Sequence, residues 1–576
     1  MAIEELTLFH PAGSFGQKGN PFGKDIANAG LFRALARYGG YRQVNVMNQL
    51  NVAPADVMAG LLPDDLQDRV KVTTAPLYVT DVPARGGVLV RGQPYLSELA
   101  WLRRSAGRQH DYSLCGLIHT IAPPAIREQI GAAALAPTEV WDALICTSPS
   151  VQQAMEEMFD RLADYLRERV GATQATRPQL PLIPLAVDVE AIAAAARQGQ
   201  PGQALRAAHG IGPDDPVVLW VGRLSFFEKA FPQPMFLAVE QAARLSGCRA
   251  HLLMAGWFPG GDQDRQRYLQ AAAAYAPGVN LVLLDGNDPT VMASCWSAAD
   301  VFLSLVDNIQ ETFGLAPVEA MAAGLPVVVS DWDGYRYTVR DGEQGFLIPT
   351  LLGTADLLGT LMATLHGLEL ESYQTYVGAV AQHTAVDVAA AAEAMRRLFV
   401  SPDLRRRMGE AGQRRARELF SWPVVVTQYN ALFEELAERR ASAARTRDVA
   451  PRRGLDPLRG NPFADFQGFA TRSLRSDMAF RLVEGLDLTS AQSRLTAVNL
   501  DRMFPGIRAN PQEVAQMLGL LQAQPGLTLQ DLQRSFAPQR SEFIALALVW
   551  LAKLGLVHWG GSSPDVPPPA GPDPAG

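Results

Sequence analysis

The sequence predicts an α/β protein made of two Rossmann-like, doubly wound domains facing a cleft, followed by a mainly helical C-terminal domain. Three observations carry this. From Pro216 to Pro349 short continuous runs of Val, Leu and Ile alternate with helix-forming stretches, the pattern of parallel strands covered on both faces. The first 190 residues repeat the style less regularly. A chain of 576 residues is also too long for one ordinary core.

In the first domain, placed at 1–190, the expected strands are Leu6–Phe9, Gln43–Met47, Val88–Val90, Ser113–His119 and Ala143–Thr147. Helices are expected at Asp25–Tyr38, Tyr95–Arg104 and Ser150–Val170, and Leu182–Asp188 leads into the next domain. The second domain, 191–420, has expected strands Val217–Val221, His251–Ala255, Asn280–Leu284, Val301–Leu305, Pro326–Val329 and Gly345–Ile348. Its helices are Lys229–Leu245, Asp262–Tyr275, Pro289–Ala298 and Leu315–Ala323. Leu- and Ala-rich helices follow Pro349, and then an amphipathic helix over 421–438 whose start is marked by Ser421 and Pro423. Residues 439–460 read as a linker, whose polar, basic, Ala- and Ser-rich Arg439–Arg453 is either linker or a solvated helix end. A unit over 461–560 has helices at Pro511–Gln522, Thr528–Phe536 and Ser541–Leu554, then a short strand at Gly555–Trp559. The Pro- and Gly-rich 561–576 is expected to be disordered.

Hydrophobic residues at 48%, charged residues at 19% and a net charge of −8 describe a globular protein without a polycationic field for nucleic acid or anionic membrane. Cys115, Cys146, Cys248 and Cys295 are far apart and form no metal or disulfide framework. Met-Ala-Ile-Glu-Glu is not a signal peptide, and no apolar run reaches the 18 or so residues that span a bilayer. The expected location is therefore cytoplasmic, with peripheral membrane attachment left open.

Glu311 and Glu319 stand eight residues apart in Asp307–Asp331, a stretch that reads as strand, loop, helix, strand. A helix beginning near Thr312 to Leu315 aims N–H groups and its positive dipole end at whatever lies before it, which favours a phosphate. The carboxylates then lie on the order of 10 Å apart, a span suited to the two ends of a diphosphate-bridged ligand. Thr312-Phe-Gly-Leu-Ala-Pro is too apolar for an exposed turn, which separates this pair from an ordinary solvated helix face.

Other residues fit less specifically. Arg223 and Lys229 follow the strand ending at Val221 and can neutralise a diphosphate, one as a planar fork and one as a point charge. The loop after Leu6–Phe9 carries Gly13, Gly16, Gly19 and Gly23, which permit close backbone approach, with Lys18 and Lys24 adding charge. Its glycine spacing is neither a dinucleotide fingerprint nor a Walker loop, and a plain flexible loop is an equal reading. His119, at the expected end of its strand, faces the cleft and is placed to donate to a hydroxyl or to developing charge. There is no Ser-His-Asp order, His-Glu-x-x-His or carboxylate cluster.

Taken together, these motifs resemble the retaining glycosyltransferases of the GT-B fold, family 4. The resemblance rests on Glu311 with Glu319, Gly222-Arg-Leu with Lys229, Ala299-Asp-Val-Phe-Leu-Ser, Gly324–Asp331, Asp341–Leu347 and Phe420-Ser-Trp. It covers about Val217 to Leu436 and extends more weakly over 1–190. It implies that the second domain binds a nucleotide-sugar donor, that the first presents the acceptor, and that the helix from Ser421 crosses back onto the first. By the same resemblance Glu311 holds donor-sugar hydroxyls and Glu319 the ribose, while Arg223 and Lys229 hold the diphosphate. Thr312, Phe313, Gly314 and Leu315 add to the phosphate cradle, Gly16 belongs to the donor-side loop, and His119 matches a cleft histidine. Configuration is retained, and no metal or other cofactor is expected.

Three departures stand out. Gly13–Gly16 and its surroundings lack the family's simple double glycine, which implies a remodelled donor-side loop. Trp332-Asp-Gly-Tyr-Arg-Tyr337 replaces the family's paired glycines and glutamate, and the unit after Asn461 has no counterpart in an ordinary member. That unit has the element order of a winged helix, but its mixed charge favours a protein-contact or self-association module over a nucleic-acid reader. Another GT-B activity, an epimerase or phosphorylase, and a non-enzymatic scaffold working through the C-terminal unit remain alternatives. Donor sugar, base and acceptor are not encoded in these motifs.

Overall fold

Two six-stranded parallel sheets carry the first 456 residues of the computed structural model, which describes residues 4–13, 15, 23–174, 176–446, 454–497 and 507–560. The first sheet comprises β1 (Glu5–Phe9), β2 (Gln43–Asn48), β3 (Lys71–Pro76), β4 (Val88–Arg91), β5 (Ser113–Leu117) and β6 (Ala143–Ile145), in the order β3-β2-β1-β4-β5-β6. The second comprises β7 (Val217–Val221), β8 (His251–Gly256), β9 (Asn280–Asp285), β10 (Val301–Ser304), β11 (Val327–Ser330) and β12 (Gly345–Ile348), in the order β12-β11-β10-β7-β8-β9. Counted from its own first strand, each sheet has the same doubly wound topology. The order reverses between β1 and β4 in one and between β7 and β10 in the other, and ligands bind where strands diverge at such a point.

Buried β-branched and aliphatic runs form these strands. Val327, Val328 and Val329 are fully buried and pair with Phe302–Ser304 on one side and Gly345–Leu347 on the other. β3, absent from the sequence reading, is an edge strand. Its Lys71, Thr73, Thr74 and Pro76 hide the periodicity, since charge and proline are what an edge tolerates. β5 stops at Leu117, so His119 lies in the following loop and does not close the strand as expected.

The helix Trp422–Thr446 crosses back onto the first domain, where Val425, Tyr429, Phe433 and Leu436 join Leu31, Leu35, Val44 and Val46 in one core. Of the two readings of Arg439–Arg453 it favours the helix end over the linker for residues 439–446, which are helical. Arg440 holds that extra turn by donating to Gly87 O at 2.9 Å and Ser113 Oγ at 2.6 Å. Residues 447–453 and the tail 561–576 lie outside the described residues.

An excursion leaves the second sheet after β12. β13 (Thr350–Leu352) and β14 (Thr384–Val386) pair antiparallel as a stem, and helices Leu357–Gly367 and Tyr373–Gln382 lie between them. The sheet then regains its cover from Val388–Val400, whose Ala391, Met395 and Leu398 are buried. None of the Leu357–Gly367 helix is buried, and Leu357 is 82% exposed.

The second unit, Pro457–Gly576, has its own core of Phe480, Met517, Leu518, Leu532, Ile544, Leu548 and Leu551. Helices Pro511–Ala523, Leu529–Arg534 and Ser541–Lys553 accompany an antiparallel sheet of β15 (Ala479–Leu482), β16 (Leu527–Thr528) and β17 (Val557–Gly560), ordered β16-β15-β17. Reciprocal capping boxes, Asn510 with Glu513 and Thr528 with Asp531, start the helices Pro511–Ala523 and Leu529–Arg534.

Candidate active site

The loops leaving β7 and β10, the two strands at the second sheet's reversal, bring the predicted charges together. Gly222 begins the first loop at φ 149°, and Ser225 tightens it by accepting from Glu228 N at 3.3 Å and Lys229 N at 3.0 Å. Arg223 pairs with Glu228 at 2.5 Å, and Lys229 Nζ donates to Glu311 Oε2 at 2.5 Å. Burial opposes ionisation of Glu311, yet Lys229 and the N–H groups of Thr312 and Phe313 together hold its carboxyl below the usual range. The Phe313 N–H expected in a phosphate cradle is thus directed at Glu311. The following turn, at the start of the Leu315–Ala323 helix, keeps N–H groups without intrahelical partners.

Glu319 lies one turn into this helix. Burial pushes its carboxyl up to about 7, against the opposing pull of Lys229. The two acids therefore share one cation but differ in protonation, Glu311 being ionised and Glu319 poised. Gly314, which starts the helix, has φ 85°, and a Cβ there would come within 1.9 Å of the Tyr335 ring. Glycine is required here by both conformation and space.

That ring belongs to the departing segment 332–337, which packs onto the acidic loop. Trp332 Nε1 donates to Asn308 O at 3.1 Å, Tyr335 OH shares a hydrogen bond with Ser304 Oγ at 3.0 Å, and Gly334 lies against Phe313. Asn308 in turn donates through Nδ2 to Phe227 O at 2.5 Å and accepts from Gln310 N at 2.9 Å, knitting the β7 and β10 loops. Asp307 is buried, its carboxyl pushed up to about 7 by burial; Oδ2 accepts from Phe231 N at 3.4 Å and Oδ1 has no partner. The sequence reading missed Asp307, Asn308, Trp332 and Tyr335 as site residues. Its only signal for them was their closeness in sequence to Glu311 and the departure itself.

The first domain meets this site through the loop after β5 and the N-terminus of Pro149–Val170. Thr312 Oγ1 donates to His119 O at 2.6 Å, Thr147 Oγ1 to Thr312 O at 3.4 Å, and Ser148 Oγ to Asp333 Oδ1 at 2.7 Å. Asp333 takes φ 37°, and burial pushes its carboxyl up to about 7. The His119 ring turns inward: Nε2 is 3.0 Å from Gly92 O and 2.8 Å from Asn28 Oδ1. A carbonyl only accepts, so Nε2 carries the hydrogen. Burial pushes the imidazole down to about 4, and it is neutral at pH 7. The Nε2–H expected to reach a donor hydroxyl is committed to Gly92 and Asn28. Gly16 lies outside the described residues.

Among the described residues no group of three or more His, Cys, Asp or Glu could hold a metal ion, and no helix is long and apolar enough to cross a membrane.

Residues 202–365 match the family model described as glycosyl transferases group 1. The chain is 28% identical over 281 residues to D-inositol 3-phosphate glycosyltransferase of Nocardia farcinica, covering 48% of this chain and 58% of that protein. It is 34% identical over 168 residues to phosphatidyl-myo-inositol mannosyltransferase of Mycobacterium tuberculosis, covering 29% of this chain and 39% of that protein. The chain thus spans less than two thirds of these curated relatives. Among solved structures, Anabaena Alr3699/HepE in complex with UDP is similar over 76% of this chain and 100% of its own, at 18% identity and a TM-score of 0.42.

Proposed function

We propose, from the premise that residues 202–365 form a group 1 glycosyltransferase domain, that this protein transfers a sugar from a nucleotide-sugar donor to an acceptor with retention of anomeric configuration. The observation that carries the reading is the Lys229–Glu311 pair at the start of the Leu315–Ala323 helix, with Glu319 sharing the cation's field. Nothing in the packing of two sheets requires that arrangement.

In this reading the donor diphosphate exchanges for carboxylates as the partner of Arg223 and Lys229, and the helix start adds N–H dipoles. These groups stabilise charge that grows on the diphosphate as the glycosidic bond breaks, a preorganised electrostatic effect. Glu311, ionised and released from Lys229, accepts from donor-sugar hydroxyls and faces the cationic anomeric centre. Glu319 accepts from the ribose hydroxyls when ionised. His119 acts as a positioning residue: its ring fixes the loop whose carbonyl receives Thr312, and so sets where Glu311 stands. Arg223 and Lys229 take over the neutralisation that a divalent ion would otherwise supply. The four cysteines are free, which supports a reducing, cytoplasmic setting. The mixed charge of the 461–560 unit supports a protein-contact role, with self-association as its simplest form.

The test is sugar release or transfer from a panel of nucleotide sugars, with product configuration read by NMR coupling constants. Turnover that disappears in Glu311→Ala and Lys229→Ala while the folded spectra persist supports the reading. A fully active Lys229→Ala protein contradicts it.

A further inference from the structure

The excursion between β13 and β14 reaches over the mouth of the site. On its second helix, Tyr373 OH donates to Gln310 Oε1 at 2.7 Å, next to Glu311, and Gln374 Nε2 donates to Glu228 Oε1 at 3.1 Å, the partner of Arg223. One turn on, Tyr376 OH accepts from Arg127 Nη2 of the first domain at 3.2 Å. This helix therefore touches both charged loops and the opposite wall of the cleft.

Beneath it lies a cavity of about 220 Å³, walled by Ile121, Arg127, Met158, Arg161, Ile309 and Tyr376 among others. A water occupies about 30 Å³ of liquid, so the space suits a compact head group rather than a second nucleotide. Its two sides run directly into the site: Ile309 is two residues before Glu311, and Ile121 is two residues after His119. At no more than about 3.6 Å per extended residue, a group held there lies within roughly one sugar's reach of the donor.

The charge of this cavity is distinctive. Arg127 and Arg161 both line it, and among the described residues neither forms an ion pair, although Glu157 lines the same wall. Elsewhere in the site each cation has a carboxylate, Arg223 with Glu228 and Lys229 with Glu311. Two arginines lining one apolar-walled space, a half-buried Arg127 oriented by a tyrosine hydroxyl and an exposed Arg161, suit a tetrahedral or planar anion.

We propose that this cavity is an acceptor subsite for a phosphate-bearing head group, with Arg127 and Arg161 as its anion contacts and Tyr376 of the excursion as the residue that aims Arg127. The inference rests on the transferase reading above, because that reading places the donor sugar on the Glu311 side of the same cleft. The head group's source is either a free phosphate ester or a lipid. The neighbouring Leu357–Gly367 helix stacks His366 on Tyr376, with ring centroids 5.0 Å apart, and exposes Leu357, Leu358 and Leu361 along its length.

The test uses the full chain. Isothermal titration compares glycerol 1-phosphate with glycerol, and co-sedimentation compares phosphatidylglycerol vesicles with phosphatidylcholine vesicles. Wild type, Arg127→Met, Arg161→Met, Arg161→Lys and Lys229→Met are run in parallel. We expect the phosphate-bearing probe to bind in at least one arm. Either methionine variant should weaken it about tenfold, as loss of a charged hydrogen bond implies, with partial recovery in Arg161→Lys. The soluble arm responding identifies a free ester, and the vesicle arm alone identifies a lipid. The inference is overturned if neither arm distinguishes phosphate, or if binding survives both arginine substitutions and disappears only in Lys229→Met. Stabilisation by nucleotide sugars, measured on the same samples, keeps the two readings apart: its absence in wild type removes the transferase reading, and its presence without phosphate discrimination removes only this one.

Discussion

The two α/β domains have one topology and opposite chemistry at their reversal points. In the second, the loops after β7 and β10 deliver two cations, each paired with its own carboxylate at 2.5 Å, Arg223 with Glu228 and Lys229 with Glu311. In the first, the helix Gly23–Tyr38 that follows β1 and the loops after β4 and β5 deliver an asparagine, a backbone carbonyl and a neutral histidine, joined to each other and facing inward. The sheet decides where a ligand can sit, and the residues leaving the strand ends decide what is done to it. Under the proposed function, this comparison assigns the chemistry to the second domain, and position and the acceptor to the first.

The largest expected effect breaks the charged half. Glu311→Gln removes the ionised acid with little change in volume and should lower kcat by about 10²–10³, the scale of losing one preorganised electrostatic contact, as measured by steady-state transfer. A comparable loss from His119→Asn would erase the proposed division between the domains. The expected loss for His119→Asn is about tenfold, with no ionisation between pH 5 and 8 removed from the rate profile, because the imidazole is already neutral there.

Gly314→Ala is next. A left-handed φ costs a non-glycine residue about 1–2 kcal/mol, and the Tyr335 ring must also move, so a loss above about 2 kcal/mol is expected in urea unfolding. Gly171→Ala, with φ 68° and nothing near its Cβ position, should cost only the conformational part. Equal losses at the two glycines would show that the Tyr335 packing is unimportant.

Asp307→Asn gives a pH-dependent effect. The folded chain keeps the Asp307 proton up to about 7, against 3.8 for an ordinary aspartate. Its contribution to stability is therefore complete below about pH 4 and is lost as pH rises through 7. The variant should gain stability in urea unfolding relative to wild type on going from pH 5 to pH 8, by at most about 3 kcal/mol on the linkage scale. A gain that is larger at pH 5 would reverse the sign and contradict the buried-acid assignment.

The smallest effect concerns Glu319. If ionised Glu319 accepts the ribose hydroxyls, donor affinity rises as pH passes through about 7, and Glu319→Gln flattens that rise. Fluorescence titration with the donor at pH 6 and pH 8 measures the difference.

Much of this was legible in the sequence for a physical reason. β7, β12, Pro289–Ala298 and Leu315–Ala323 coincide with their expected bounds, because buried parallel strands are written as continuous apolar runs and their helices are punctuated by Pro and Gly. Glu311 and Glu319 stood out because Thr312-Phe-Gly-Leu-Ala-Pro is too apolar for an exposed turn, whereas Arg223 and Lys229 were marked only by their place after the strand ending at Val221. Edge strand β3 was illegible, since one polar face and one proline leave little period to read. The His119 ring direction was also illegible: it is set by Gly92 and Asn28, 27 and 91 residues away. The role of the excursion depends on Tyr376 meeting Arg127 across 249 residues, a pairing no local pattern contains.

The central claim is that Lys229 exchanges Glu311 for a donor diphosphate. Its most direct test is the shift in unfolding temperature that a saturating nucleotide sugar produces in wild type and in Lys229→Met. A ligand that binds only the folded state at 100 times its Kd adds about 2.7 kcal/mol, a readily measured shift. The account predicts that this shift appears in wild type for a true donor and is largely lost in Lys229→Met. An undiminished shift in Lys229→Met would contradict it.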